Sequence, residues 1–186
     1  MKNFAMGIPC VLMAACFAPV ALAQHHARNP RATSTLTLKG KTISVEYGQP
    51  SLKGQTIEQR LASLKPGDLW RMGADTSTTF KTEADLAFGD VTIPAGEYSI
   101  WMQQQEDKTW KLLFDKKHGQ WGAPAPPASE AFASVPLMET KAAESVDLVT
   151  IKLAKAKKGG TITTQWGTLE VAASFMAKKR QKQAGV

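Results

Sequence analysis

Short runs of period-two alternation separated by turn residues constrain this chain more than any other feature. Leu36 and Leu38 alternate with threonine, Lys39-Gly40 turns the chain, and Ile43, Val45 and Tyr47 alternate with Ser44 and Glu46. Alternation puts the apolar side chains on one face of a half-buried strand, and two such runs about a glycine turn read as a hairpin. Tyr98, Ile100 and Met102 share a second face, after which Gln105-Glu106-Asp107-Lys108 returns the chain into Trp110, Leu112 and Phe114. Toward the end, Val149, Ile151 and Leu153 are followed by Lys157-Lys158-Gly159-Gly160, then by Ile162, Thr164 and Trp166, then by Gly167, and then by Leu169, Val171, Ala173 and Phe175. This predicts three strands in a meander.

A single helix interrupts the strands. Thr56 and Gln59 match a capping box, Ile57, Leu61 and Leu64 line one face, and Lys65-Pro66-Gly67 stops it. About nine strands with one short helix predict an all-β, mainly antiparallel two-layer sandwich, because each sheet face needs a second layer to cover it. A barrel is the alternative. Gly122-Ala123-Pro124-Ala125-Pro126-Pro127 cannot join a hydrogen-bond ladder and predicts an exposed loop.

The N-terminus reads as an export signal. Lys2 supplies the positive charge, Phe4 to Leu22 carry none, and Ala21-Leu22-Ala23 is the small-x-small pattern of a signal-peptidase site. The expected organisation is a signal peptide over residues 1–23, a flexible segment over 24–33, one domain over 34–176 and a basic tail over 177–186. A membrane anchor is disfavoured by Pro9 and Pro19, and a lipoprotein anchor at Cys16 by the poor fit of Met13. The expected location is the periplasm or the exterior, with no transmembrane segment after processing. Cys10 and Cys16 both fall in the leader, so the mature chain has no thiol for disulfides, catalysis or metal binding.

The formal charge of +7 includes Lys2, whose removal leaves 22 basic against 16 acidic residues, or +6. Lys178, Lys179, Arg180 and Lys182 account for four of these charges, so the folded part carries about +2. A nucleic-acid partner is not expected of so small an excess, and the chain is expected to be a monomer.

Enzyme templates find little support. There is no Gly-x-Ser-x-Gly elbow, phosphate-cradling glycine loop, dinucleotide fingerprint or His-Glu-x-x-His helix, and beyond the leader the histidines are His25, His26 and His118. No cofactor is expected. If processing leaves Gln24 first, the amine, two amides and His26 of Gln24-His25-His26 can offer Cu(II) or Ni(II) four nitrogens in a plane; the plainer reading is an untethered terminus. Glu46, Asp68, Asp75 and Glu97 supply carboxylates of the kind a glycosidase needs, as any soluble protein does.

Four segments carry a resemblance. Tyr47-Gly48-Gln49-Pro50-Ser51-Leu52-Lys53-Gly54, Trp70-Arg71-Met72-Gly73-Ala74-Asp75, Ile93-Pro94-Ala95-Gly96-Glu97-Tyr98-Ser99 and Gln120-Trp121-Gly122 resemble, in order and spacing, the successive signatures of a family of exported bacterial proteins of unknown function, DUF2911. The resemblance covers roughly Ser34 to Met176 and implies a periplasmic or secreted β-rich domain with no known reaction. The chain departs from the family pattern in two places, with Asp75-Thr76 where Asn-Glu is expected and the proline-rich loop where tyrosines are expected. A role carried by that glutamate is not expected to pass to Asp75, since a one-residue shift along a strand would point its side chain to the opposite face.

Within these segments, Trp70 and Arg71 are expected to face opposite sides of a strand, one buried and one not. Arg71 then either pairs with Asp75 or Glu97 at the rim or anchors an anionic or sugar ligand through its planar fork, with Asp75 orienting it. Pro94-Ala95-Gly96-Glu97 reads as a turn whose glycine takes positive φ. Trp121 either plugs the open end of the fold or offers a platform to a sugar or peptide. The expected function is non-enzymatic binding of a small-molecule, glycan or other envelope ligand at the loop end bearing Trp70, Arg71, Asp75 and Trp121. The alternative is a carboxylate-dependent glycan hydrolase using Asp68 or Asp75.

Intact-mass analysis of the exported protein should find Gln24 as the first residue. A species beginning with lipid-modified Cys16, or retaining Met1, would refute this reading of the leader.

Overall fold

The computed structural model describes residues 29–178; the expected leader, His25 and His26 and the tail beyond Lys178 lie outside the described residues. In chain order the elements are β1 (Arg31–Leu38), β2 (Lys41–Gly48), α1 (Ile57–Leu61), β3 (Leu69–Trp70), β4 (Thr79–Thr82), β5 (Leu86–Phe88), β6 (Val91–Ile93), β7 (Gly96–Gln104), β8 (Trp110–Asp115), β9 (Ala133–Lys155) and β10 (Gly160–Ala177). The strands lie on one hydrogen-bonded path, β1-β2-β4-β7-β8-β9-β10-β5-β6, with β3 added beside β7. Every pairing is antiparallel, and the class is all-β with one short α-helix among the described residues. No helix among them is long and apolar enough to cross a membrane.

Both predicted hairpins form. Lys39 and Gly40 take φ of 51° and 73° between β1 and β2, the left-handed pair of a two-residue turn that suits strand twist. The first strand begins at Arg31, so residues 31–33 belong to the sheet and not to a flexible lead-in.

The path does not lie flat. The Ala133–Leu137 part of β9 pairs with β8, whereas its later part meets the first hairpin and the segment after it. Leu153 N–H donates to Ser34 Oγ (2.8 Å), Tyr47 Oη to the Ile151 carbonyl (3.2 Å), Gln49 Nε2 to the Val149 carbonyl (3.1 Å) and Leu52 N–H to the Asp147 carbonyl (2.9 Å). The sheet therefore curls over itself, and Val45, Phe80, Ile100, Leu112, Phe114, Val149, Ile162 and Phe175 bury their side chains in one core. Each fully buried side chain of this size stabilises the fold by roughly 1.5–3 kcal/mol.

The predicted meander is instead one long hairpin. β9 begins at Ala133 because Ala133–Leu137 pairs with β8, whereas Met138–Ser145 is mostly exposed on both faces and shows no alternation in sequence. Gly167 is not a turn but a bulge within β10, with register shifts on either side of it and φ of 60°. It also makes room. A Cβ there would lie 3.0 Å from Ile57 Cβ, so the bulge seats the helix against β10.

The helix needs that seat, since five residues are too few to be stable alone. Its capping box is complete, with Gln59 N–H donating to Thr56 Oγ1 and Thr56 N–H to Gln59 Oε1. It ends at Leu61, before Lys65-Pro66-Gly67, and the chain continues through a Leu64 N–H to Leu61 carbonyl turn.

Gly167→Ala should lose about 2–3 kcal/mol in urea unfolding, the sum of left-handed strain and the contact with Ile57. Gly89→Ala shares the positive φ but meets no atom within 4 Å, so it isolates the strain alone. Equal losses in the two variants would show that the seat under Ile57 contributes nothing.

Candidate functional site

β3 is only two residues long, and the course of the chain beyond it decides the site. After Trp70 the backbone leaves the sheet through Met72 and Asp75, whose φ values of 54° and 63° are left-handed. The expected strand alternation therefore fails. Trp70 and Arg71 are both half-buried and both line one cleft of about 360 Å³ between the Trp70 end of β3, α1 and β10.

Trp166, on β10 beside the Gly167 bulge, lies under Trp70 with ring centroids 5.4 Å apart and planes 9° from parallel. Its Nε1–H donates to the Asp147 carbonyl (3.0 Å), which satisfies the one polar group of a ring only 3% exposed. The Arg60 guanidinium, carried by α1, sits 5.3 Å from the Trp166 ring centroid, within cation–π range. Among the described residues Lys53, Arg60 and Arg71 all line the cleft, and no Asp or Glu does.

Three of the four family-like segments interlock behind Arg71, and their glycines are the reason they can. A Cβ on Gly48 would collide with the Ala74 carbonyl oxygen, and one on Gly73 would lie 2.9 Å from both the Gly48 oxygen and Thr78 Oγ1. A Cβ on Gly122 would lie 2.7 Å from Arg71 Cδ. Hydrogen bonds complete the packing: Thr78 Oγ1 donates to the Arg71 carbonyl (2.9 Å), Gly122 N–H to the Asp75 carbonyl (2.9 Å) and Ser77 N–H to the Gln120 carbonyl (2.8 Å).

Asp75 is buried, and its carboxylate accepts from both the backbone N–H (2.9 Å) and Nδ2 (3.1 Å) of Asn29. It orients Arg71 through its backbone instead, the Asp75 carbonyl accepting from Arg71 Nη1 at 3.3 Å. Arg71 forms no ion pair among the described residues, so the expected rim pair with Asp75 or Glu97 is absent; Glu97 faces Lys81 (3.8 Å) and His118 (3.6 Å). Trp121 is half-buried and pairs its backbone with Thr76, on the rear of the loop, and it does not line the cleft.

The remaining carboxylates considered for hydrolysis are engaged locally. Glu46 accepts from Arg31 Nε (2.8 Å), and exposed Asp68 accepts from the Lys65 N–H (2.9 Å) in its own turn. Among the described residues no three His, Cys, Asp or Glu side chains group to hold a metal. The Ile93–Ser99 segment lies away from the cleft and is architectural: Tyr98 Oη donates to the Pro94 carbonyl (3.0 Å), and a Cβ on Gly96 would come within 3.0 Å of that hydroxyl. Gly96 is not among the positive-φ residues, so close approach, and not a left-handed turn, calls for glycine there.

Trp166, Arg60 and Lys53 were not singled out by the sequence. Trp166 reads as one more inward strand residue and Arg60 as a solvated helical charge; only the bulge and the helix seat bring them to Trp70.

Gly122→Ala should cost about 1–3 kcal/mol in chemical denaturation by displacing Arg71. In an Arg71→Ala background the same change should cost measurably less, by about 0.5 kcal/mol or more, because the two sites are in contact. Additive losses would show that Gly122 is not there to admit Arg71.

A family model described as a protein of unknown function (DUF2911) matches residues 29–175. No curated protein and no solved structure matches the chain. The matched span contains every strand except the last residues of β10, together with the cleft and the glycine-mediated packing behind it. The chain therefore belongs to DUF2911, a family of proteins of unknown function.

Proposed function

We propose that this protein is an exported, non-enzymatic binding domain that holds a glycan, or another small or polymeric ligand of the cell envelope, in the cleft beside Trp70 and Arg71. The observation that carries the reading is the stacked Trp70–Trp166 pair next to a guanidinium held in place from behind. A stacked indole is rigid and presents apolar surface at little entropic cost, which suits the C–H face of a sugar ring, while an adjacent planar donor group fixes orientation. Export rests on the charge-free run ending in Ala21-Leu22-Ala23. A glycan hydrolase is the second reading, and it needs two carboxylates across the bound bond. Binding is favoured over it because the cleft is lined by cations and indoles, while Asp68 and Asp75 accept hydrogen bonds elsewhere.

The test is a glycan and envelope-polymer array followed by titration of the best ligand. Trp70→Ala should weaken binding about ten-fold or more, equivalent to roughly 1.4 kcal/mol. Trp121→Ala, outside the cleft, should change it less than about two-fold. The opposite ranking would place the site at the proline-rich loop, and release of shortened glycan on prolonged incubation would favour the hydrolase.

A further inference from the structure

The unusual feature of the cleft is its charge. All 16 acidic residues of the chain lie within residues 29–178, yet none lines the cleft, while Lys53, Arg60 and Arg71 do. The folded part as a whole is close to charge balance, so this is a local segregation and not a reflection of a basic protein.

Arg71 sharpens the point. The only hydrogen bond of its side chain among the described residues is the 3.3 Å contact from Nη1 to the Asp75 carbonyl, which leaves most of a five-donor fork without an acceptor among them. Two other cations of the fold do have a carboxylate partner: Arg31 has Glu46 at 2.8 Å, and Lys81 has Glu97 at 3.8 Å. Arg71 is half-buried, so it has given up part of its hydration without gaining a counter-ion among these residues. The loop also holds it still, with Gly122 against its Cδ and the Asp75 carbonyl on Nη1, so little side-chain entropy remains to be lost on binding.

Resting on the binding reading above, we infer that the cleft selects an anionic sugar, in which an oxyanion substituent, carboxylate or phosphate, meets the Arg71 fork while the ring packs beside Trp70. The planar guanidinium matches either oxyanion with two parallel N–H donors. Arg60 and Lys53, both exposed, add a positive rim that raises the local concentration of such a ligand and makes its binding sensitive to salt. With no carboxylate among the described lining residues, nothing there repels an anion, and acidic sugars are favoured over neutral ones.

Calorimetric titration of the purified protein with trigalacturonate, its full methyl ester and mannose 6-phosphate tests this inference. At least one of the two anionic probes should bind about ten-fold or more tighter than the ester, and which one does so tells carboxylate from phosphate. That binding should weaken when salt is raised from about 50 to 500 mM. Arg71→Lys should lower it about ten-fold, by removing the fork while keeping the charge, with unfolding in urea little changed. Affinity for both anionic probes no higher than for the ester would overturn the anionic selectivity while leaving a binding cleft. Loss of all three titrations would also overturn it, and the glycan array then decides separately whether the cleft binds anything else. If Arg71→Lys binds as tightly as the parent, the anchor is not Arg71 and the inference fails.

Discussion

The curl of the sheet depends on β9 making backbone contacts along both of its edges. Its first residues complete β8, Met138–Lys155 pairs with β10, and the opposite edge of that later part takes hydrogen bonds from Tyr47, Gln49 and Leu52, with Ser34 reached by Leu153. A strand edge left open would expose unpaired backbone groups and one face of the sheet. Here those groups are satisfied by side chains and loop backbone, so the first and last strands enclose the same core.

The cleft follows from that curl. Once the segment after β2 is tied to β9, Gly48 lies against Ala74, and the chain between β3 and β4 has to pass through two left-handed residues to fit beneath it. The same detour turns Trp70 onto Trp166 and leaves Arg71 facing the cleft. On the other wall, the Gly167 bulge admits Ile57, which sets the height of α1 and so the position of Arg60 over Trp166. Two glycine-dependent approaches, far apart in sequence, thus set the two walls of one site.

Charge is divided along similar lines. Most cations of the domain face solvent, where isolated pairs contribute little, and the arginine nearest the sheet edge, Arg31, has its carboxylate. Arg71 differs in being half-buried, fixed from behind and without an ion pair among the described residues. Asp75, its nearest acid in sequence, instead binds Asn29 and so fastens the start of β1 to the rear of the loop. The carboxylate thus serves the fold and its carbonyl serves the arginine.

Period-two alternation around Lys39-Gly40 and Gln105–Lys108 specified both hairpins, since a strand with one buried face has its inward residues and its register imposed by the same pattern. The Thr56–Gln59 capping box specified where the helix starts, and the glycine-bearing segments specified the family. The first half of β9 was not legible, because Met138–Ser145 is exposed on both sides and has no apolar face to alternate. Nor was the role of Gly167, since a glycine in a bulge and a glycine in a turn look alike along the chain. Trp70 and Arg71 were legible as candidate site residues, but their shared face was not, because alternation assumes a strand that here ends at Trp70. The sequence by itself determined the β class, the two hairpins and the helix start, all of which arise from interactions between near neighbours. Only the tertiary structure decided that Trp166 and Arg60 join Trp70 and Arg71 with no acid among them, because that grouping depends on backbone approaches between segments that no local pattern connects.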